Sequence, residues 1–342
     1  MLRVLRWSGI VLGSLVLILG ALLAGLWVST RGEVEVLRTV VDDPSLPRIE
    51  VGGVLLHAEA YGEPGSPTVV VLHGGPGGDY RGLLGLRRLA TRFQVVFYDQ
   101  RGSGLSQRVP EDGLTLEAMV EELDGVIMRF APRGRVHLVG HSWGGMLAAA
   151  YLARHPERVS RAVLAAPGFL DEEARRDLLE RSGGMRAPLT LRNLWTLATV
   201  SVRSLHVDGP DPEARGDWRM AAILAADLED NPMDRYWCDG VPVPEAIPSW
   251  RFGAALMPAL LSSLTGGEHA AGQGMAAGLD RFEGQVLLLA GECDALTGLE
   301  HQRIHAKLFR DARVLVVPGA GHFMFGERPA ELAAVVGAFL SR

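Results

Sequence analysis

Hydrophobic residues follow three different patterns along the chain. From residue 7 to residue 30 no charged side chain occurs; a helix of this length would extend about 36 Å, enough to cross a bilayer core of about 30 Å. Residues 31–48 are polar and contain Pro44 and Pro47, which predicts a tether. Beyond them, short apolar runs alternate with stretches of helical periodicity. This alternation predicts a mostly parallel sheet with helices on both faces.

The apolar runs predict the strands, and the spacing of apolar residues between them predicts the helices. Strands are expected at residues 49–56, 68–72, 93–98, 135–139, 161–165, 285–290 and 313–317. Helices are expected at residues 116–127, 146–154 and 329–340. The last of them opens with a proline, which suits the first helical turn.

Residues 168–278 interrupt this rhythm. The stretch contains no convincing strand pattern and is too long for a structureless loop inside a compact domain. We therefore predict a helical lid at 168–278, inserted into an α/β core formed by residues 49–167 and 279–342.

The amino-terminal segment, residues 1–30, is predicted to be a transmembrane anchor that contacts the lipid bilayer through residues 7–30. Arg3 and Arg6 precede the apolar run, so the amino end is expected in the cytoplasm and the rest of the chain on the extracytoplasmic side. The alternative is a cleaved secretory signal, although the run is longer than the usual signal core. Both interpretations export the body of the protein.

Charge and cysteine content exclude several functions. The 342 residues carry 34 Lys and Arg against 40 Asp and Glu, a net charge of -6 without a long basic run, so nucleic acid is not an expected partner. Cys238 and Cys293 are the two cysteines and form no CxxC motif, which excludes a thiolate zinc site. We expect two buried free thiols; a disulfide between them is the alternative.

The motif Gly140-His141-Ser142-Trp143-Gly144 is the strongest chemical signal. It lies between an apolar strand and a predicted helix, where a nucleophilic serine on a tight turn needs small residues two positions before and after it. The alternative is an ordinary strand-to-helix connection with a capping serine. His141 is expected to point away from the serine hydroxyl.

A nucleophilic serine requires a base and an acid that orients the base. Asp294 and His322 each follow a predicted strand, at the sheet edge where ligand crevices form. The chain order Ser142, Asp294, His322 is that of α/β hydrolases. Asp171 and Glu292 are the rival acids.

Two backbone segments could stabilise an oxyanion. Trp143 follows the serine at a helix start, and the loop at residues 73–78 contains four glycines that allow a close approach of the backbone. Gly75 or Gly74 is expected to supply the second N–H group. The loop at residues 99–106 is predicted to be structural, with Asp99 and Arg101 bracing the turn.

These motifs resemble the α/β-hydrolase family, and within it the proline iminopeptidase-like serine peptidases. The matching pieces are HGGPGG at 73–78, DQRGSGLS at 99–106, GHSWGG at 140–145, GECD at 291–294 and GAGH at 319–322. The resemblance implies a triad of Ser142, Asp294 and His322, an oxyanion hole at Trp143 and Gly75, and no metal or organic cofactor. It also implies lid carboxylates that bind a substrate α-ammonium.

No pair of lid residues matches that carboxylate set, so the substrate-binding residues are predicted by location. The candidate carboxylates are Glu229, Asp230, Asp234, Asp239 and Glu245. The candidate apolar walls are Trp218, Met233, Trp237 and Phe252.

The sequence thus predicts a serine hydrolase that cleaves an ester or amide bond in a small molecule or short peptide through an acyl-enzyme. An aminopeptidase and an esterase or lipase-like enzyme both fit. A third hypothesis is a catalytically silent, membrane-tethered binding module.

Overall fold

The computed structural model describes residues 2–183, 187–238, 249–265 and 273–342. Eight strands form one sheet in the order β1-β2-β4-β3-β5-β6-β7-β8. Only β1 with β2 and β2 with β4 pair antiparallel in this sheet, and the other neighbours are parallel. The strands are β1 Arg48–Val51, β2 Val54–Tyr61, β3 Thr68–Leu72, β4 Gln94–Tyr98, β5 Val136–His141, β6 Val159–Ala165, β7 Gln285–Gly291 and β8 Ala312–Val317.

Of the predicted strands, the one at residues 49–56 is wrong. Residues 49–56 do not form a single strand, because the chain reverses at Gly52 and Gly53 between β1 and β2. Both glycines have positive φ, 56° and 79°, as the two-residue turn of a tight hairpin requires. The other predicted strands are confirmed with small differences at their ends.

Eleven α-helices are found in the described part of the chain. They are α1 Leu2–Ser29, α2 Leu116–Phe130, α3 Trp143–Arg154, α4 Glu172–Ser182, α5 Leu191–Ser204, α6 Ala214–Leu224, α7 Leu256–Thr265, α8 Gln273–Ala276, α9 Leu299–Ala306, α10 Met324–Glu327 and α11 Pro329–Leu340. Short 3-10 helices occupy Tyr80–Thr91, Glu111–Gly113, Pro156–Arg158, Pro232–Tyr236 and Leu279–Arg281.

Helices cover both faces of the sheet, as predicted. Alternate residues of β3 belong to two separate cores: Val70 and Leu72 pack with α2 and α3, and Val69 and Val71 pack with the 3-10 helix Tyr80–Thr91 and with α11. All five residues of β3 are buried. Strands buried on both faces are apolar throughout, which explains the uninterrupted runs in the sequence.

Between β6 and β7 the described residues contain α4 to α8 and no strand; we call residues 168–278 the insertion. A buried ionic network around Arg251 links the insertion to the sheet domain through the pair of Asp217 with Arg108. The guanidinium of Arg251 contacts Asp211 at 2.6 Å and Asp217 at 2.8 Å, and Asp217 also accepts from Arg108 at 2.9 Å. Three elements distant in sequence are thereby joined.

The predicted tether at residues 31–48 is partly packed against the body. The N–H of Val40 donates to the carbonyl of Leu105 at 2.8 Å, and Arg251 donates to the carbonyl of Leu37 at 3.1 Å. The side chain of Val40 is fully buried. Backbone groups of this stretch thus find partners in the body and in the insertion.

The structure contains one helix in its described residues that is long and apolar enough to cross a membrane. The apolar window Leu12–Ser29 lies within α1 near the amino terminus and is almost entirely exposed. A signal sequence has the same properties.

Candidate active site

Ser142 occupies a strained turn between β5 and α3. Its backbone has φ 53° and ψ -118°, a region that non-glycine residues rarely adopt. The N–H of Ser142 donates to the carbonyl of Ala165 at 2.8 Å, and the carbonyl of Ser142 accepts from the N–H groups of Gly145 and Met146. Hydrogen bonds on both sides of the residue hold this conformation, and the side chain remains partly exposed.

The two flanking glycines are required by the backbone that crosses this turn. A Cβ atom on Gly140 would lie 2.3 Å from the carbonyl oxygen of Gly144, and a Cβ atom on Gly144 would lie 2.1 Å from that of Leu72. Both distances are far below van der Waals contact, and both involve backbone that cannot move aside. The spacing of the motif therefore has the steric cause that the sequence suggested.

Asp294 and His322 form a buried pair at the carboxyl ends of β7 and β8. Nδ1 of His322 lies 2.9 Å from Oδ2 of Asp294. The other carboxylate oxygen, Oδ1, accepts from the N–H groups of Leu296 and Thr297, and the hydroxyl of Thr297 donates to Oδ2 at 2.5 Å. Burial alone would raise the pKa of Asp294, but the hydrogen bonds from His322 and Thr297 hold it below its ordinary value.

The rival acids are engaged elsewhere. Asp171 caps α4 by accepting from the N–H of Ala174 at 2.9 Å. The carboxylate of Glu292 accepts from the N–H of Gly319 at 2.7 Å and is exposed. Of the three carboxylates, Asp294 is the one paired with His322.

His141 connects the serine turn to the histidine loop. Its Nε2 lies 2.8 Å from the carbonyl oxygen of His322, and the two imidazole rings are 4.9 Å apart between centroids. Burial and the neighbouring His322 lower the pKa of His141 to about 3, so its ring is neutral and Nε2 donates. Within the described residues the Ser142 hydroxyl itself makes no hydrogen bond.

The glycine-rich loop at 73–78 lies directly beside the serine. A Cβ atom on Gly74 would approach the Cβ atom of Ser142 to 3.0 Å, so only glycine lets the two loops come this close. Gly75 has φ 129°, and a Cβ atom there would lie 2.6 Å from the N atoms of Gly77 and Gly78. Trp143 is the first residue of α3, and its N–H has no intrahelical acceptor.

Gln100 joins the loop at 73–78 to Trp143, a contact that the sequence prediction missed. Its side-chain oxygen accepts from the indole N–H of Trp143 at 2.8 Å, and its amide nitrogen donates to the carbonyl of His73 at 3.0 Å. The backbone N–H of Gln100 donates to Nε2 of His73, whose Nδ1 therefore carries the proton and donates to the carbonyl of Gly74. Burial lowers the pKa of His73 and keeps the ring neutral.

The rest of the loop at 99–106 is structural, as predicted. Asp99 accepts from His57 at 2.8 Å, from the N–H of Tyr80 and from the N–H of Leu105. Arg101 pairs with Glu122 at 2.9 Å. Burial raises the pKa of Glu122 to about 7 even though Arg101 opposes the shift.

The insertion contributes a segment, residues 232–238, that lies against the acid and histidine loops. The carbonyl of Tyr236 accepts from the N–H of His322 at 2.7 Å, and the two rings are 4.3 Å apart. The carbonyl of Arg235 accepts from the N–H of Ala295 at 2.9 Å. Trp237 stacks on Phe323 at 4.5 Å, so this predicted wall residue lies next to the histidine loop.

A disulfide joins Cys238 to Cys293, so the prediction of two free thiols is wrong. The two Cα atoms are 4.9 Å apart because residues 235–238 lie directly on the loop that carries Asp294. The two cysteines are 55 residues apart in the sequence, and this spacing does not predict that they are neighbours in the fold. The disulfide fixes the insertion to the residue that precedes the acid.

The other predicted insertion residues are distributed more widely. Phe252 lies against the glycine-rich loop, where a Cβ atom on Gly77 would touch its ring at 3.0 Å. Glu229 lies beside α5, where its backbone exchanges two hydrogen bonds with Asn193, and Asp230 is exposed.

The remaining candidates lie elsewhere in the insertion. Burial raises the pKa of Asp234, and the guanidinium of Arg203 lies over the ring of Trp218. Met233 is half-buried in the same short helix as Asp234. Asp239 and Glu245 lie outside the described residues.

The sheet order and the arrangement of these loops are those of the α/β-hydrolase fold. Residues 67–209 match the family described as alpha/beta hydrolase fold, and residues 270–341 match the family described as TAP-like protein. The chain is moreover related to proline iminopeptidases. It is 41% identical over 121 residues to a proline iminopeptidase of Heyndrickxia coagulans, across 35% of this chain and 42% of that protein. The resemblance inferred from the motifs is confirmed.

Solved structures extend the similarity to nearly the whole chain. A proline iminopeptidase-related protein of Thermus thermophilus superposes with a TM-score of 0.61 at 25% identity, over 87% of this chain and 97% of its own. A membrane phospholipase A, a bacterial virulence factor, superposes with a TM-score of 0.60 at 23% identity, over 100% of this chain and 98% of its own. The chain spans less than half the length of the curated relatives that it matches.

Proposed function

We propose that this protein is a serine hydrolase that cleaves an ester or amide bond through an acyl-enzyme. The observation that carries the proposal is the meeting of three loops at one edge of the sheet. Ser142 lies in a strained turn beside Gly74, and its neighbour His141 contacts His322, which is paired with Asp294. Such a combination matches the roles of nucleophile, base and orienting acid.

In the proposed mechanism Ser142 Oγ attacks the carbonyl carbon of the substrate. Nδ1 of His322 donates to Asp294, so Nε2 is the unprotonated nitrogen and accepts the serine proton. Asp294 stays ionised because its pKa is held low, and it stabilises the imidazolium that forms. His322 then protonates the leaving alcohol or amine.

The negative charge on the carbonyl oxygen requires two donors. We assign them to the N–H groups of Trp143 and Gly75, with Gly74 as the alternative in the same loop. The strain at Ser142 and the bridge through Gln100 orient both segments before the substrate arrives, which is the arrangement that oxyanion stabilisation needs. Water then attacks the acyl-enzyme with His322 as base, and no metal or organic cofactor enters the scheme.

The insertion is proposed to be the lid of this site. Trp237 and Phe252 would form apolar walls, since each packs beside one of the active-site loops. The relation to proline iminopeptidases supports an amide substrate with a free amino terminus. Glu229 and Asp230 would then bind the α-ammonium of that substrate. Because Glu229 is hydrogen-bonded to α5, their position supports an ester substrate, which has no amine to bind, more than it supports an aminopeptidase substrate.

We propose further that α1 anchors the protein in a membrane, with the catalytic body on the extracytoplasmic side. The apolar length of α1 and the arginines that precede it support this orientation. The disulfide between Cys238 and Cys293 supports it independently, because disulfides persist in oxidising compartments and are rare in the cytosol.

The test of the chemistry is labelling of the full chain by a fluorophosphonate probe. We expect stoichiometric labelling of the wild type and none of Ser142→Ala. Ser341→Ala, which alters a serine near the carboxyl terminus, serves as the matched control and should label fully. Absence of labelling in a folded wild type would support a silent binding module and contradict the proposal.

A substrate panel separates the peptidase from the esterase. Prolyl and alanyl nitroanilides are compared with their N-acetylated forms and with nitrophenyl acyl esters. An aminopeptidase cleaves only the free-amine substrates, whereas an esterase cleaves the acyl esters and is indifferent to an amine.

A further inference from the structure

Helix α5 of the insertion turns its most apolar side to the surroundings, and the residues that it buries against the protein are polar. Its buried residues are Asn193 and Ser204. Leu191 and Trp195, in contrast, are 87% and 57% exposed. A surface helix in a water-soluble protein has the opposite arrangement, with leucines inside and polar residues outside.

The outward apolar face runs along the whole helix. At 3.6 residues per turn, one side contains Leu191, Leu194, Trp195, Ala198, Val202 and, just past the end, Leu205. Exposed Leu189 extends the face before the helix begins. The helix itself has no acidic residue. Arg203 is exposed at the border of this face, and Arg192, also exposed there, pairs with Asp227 of the following segment at 2.6 Å.

Helix α5 cannot roll to bury these leucines, because its polar side is fixed. The side chain of Asn193 donates to the carbonyls of Pro188 and Glu229 and accepts from the N–H of Glu229 at 2.8 Å. Turning the helix would break three hydrogen bonds of a buried amide, each costly to lose without replacement. The apolar face is therefore held outward.

The carboxyl-terminal end of α5 touches the carboxyl-terminal end of α1. Nε2 of His206 lies 3.2 Å from the carbonyl oxygen of Trp27, and the two rings are 4.1 Å apart between centroids. Trp27 stands at the end of the apolar helix, where indole rings prefer the headgroup layer of a bilayer. The exposed face of α5 is thus continuous with the end of the proposed anchor.

We propose that α5 docks on the bilayer surface that α1 enters, with its leucines and Trp195 in the interfacial layer. A helix with an outward apolar face, arginines at its border and no acidic residue of its own has the pattern of helices that lie in the membrane plane. Contact with the end of α1 places lipid, and not a second protein chain, against this face. The inference rests on the anchoring part of the proposed function.

The experiment measures the depth of one residue in vesicles. The full chain is reconstituted into phosphatidylethanolamine and phosphatidylglycerol, with Leu191→Cys labelled by an environment-sensitive fluorophore; both native cysteines are in the disulfide. Leu191 lies at the far end of α5, about 20 Å from the contact with α1, so proximity to the anchor alone does not bring it to lipid. The matched control is Arg303→Cys, on the exposed side of α9.

We expect nitroxide-labelled lipids to quench the fluorophore at position 191 at least about three-fold more than at position 303. Equal quenching in a protein that resists an alkaline wash would overturn the docking and leave the anchor intact. A fluorophore at position 191 that is shielded from water but not quenched by the labelled lipids would mean that a second protein copy covers the face. This result would also overturn the docking on the bilayer. A protein that washes off the vesicles contradicts the anchor and the docking together, and labelling of Ser142 in the same sample tests the chemistry separately.

Discussion

Breaking the disulfide between Cys238 and Cys293 is expected to destabilise the protein by about 4 kcal/mol. The perturbation is Cys238→Ser, which removes the cross-link and leaves a small polar residue in its place. The reason is that the unfolded chain gains freedom when a closed loop is opened.

The magnitude follows from the length of that loop. The cysteines are separated by 55 residues, and the loop-closure relation for this length gives about 14 cal/mol/K, or about 4 kcal/mol at 25 °C. At about 2 cal/mol/K of unfolding entropy per residue, a body of roughly 300 residues should lose about 6 to 7 °C in melting temperature. The disulfide also holds residues 235–238 on the loop of Asp294, so activity should fall as well.

The assay is thermal unfolding in detergent micelles, followed by intrinsic fluorescence with and without reductant. Reduced wild type, Cys238→Ser and the double variant with Cys293→Ser should share one lowered melting temperature, and reductant should not change the double variant further. Unchanged unfolding of Cys238→Ser would refute the reasoning, because it would mean that the cross-link does not lower the entropy of the unfolded chain. Labelling by the fluorophosphonate probe reports the effect on the site in the same samples.

Three further changes have defined outcomes. Gly144→Ala places a Cβ atom 2.1 Å from the carbonyl oxygen of Leu72, so we expect a loss of activity of about 100-fold or more with a near-native circular dichroism spectrum; full activity would contradict the steric argument. Thr297→Val removes a hydroxyl that donates to Asp294, so kcat should fall about ten-fold with KM unchanged, and Thr199→Val on the surface of α5 is the control. In the folded protein the pKa of His141 is lowered to about 3. As the pH falls below about 6.5, this histidine is therefore protonated in the unfolded chain but stays neutral in the folded protein, and the free energy of unfolding decreases by about 2 kcal/mol by pH 5. His141→Gln keeps an amide N–H for the carbonyl of His322. In urea unfolding, its free energy of unfolding should decrease between pH 7 and pH 5 by about 2 kcal/mol less than that of the wild type. An equal decrease in both proteins would show that the fold does not keep His141 neutral.

Local stereochemistry explains which parts of this architecture could be predicted. Gly140 and Gly75 are required by close approaches of backbone within four residues, whereas Gly144 and Gly74 are required where β3 and its loop cross the serine turn. Because glycine is the residue that fits all four places, their spacing is visible in the sequence. Strands buried on both faces are likewise visible as apolar runs. The hairpin at Gly52 and Gly53 was missed although the turn signal was present, because the two strands continue a single apolar pattern.

Contacts between distant segments could not be predicted in this way. Gln100, Thr297 and Tyr236 take their positions from the packing of loops that meet only in the folded chain. Polar residues such as these have no periodicity that distinguishes them from surface residues. The orientation of α5 is a similar case, because periodicity predicts two sides of a helix without indicating which one faces the protein.

The packed stretch between α1 and the sheet has a mechanical consequence. Leu37 and Val40 are hydrogen-bonded to Arg251 and to Leu105, and His206 contacts Trp27 of α1, so the body is held against the end of α1. With α1 in a bilayer, helix and body turn as one piece, and a change in bilayer thickness that alters the tilt of α1 alters the angle of the body by the same amount. Under the proposed anchoring, lipid composition would therefore set the angle between the body and the bilayer.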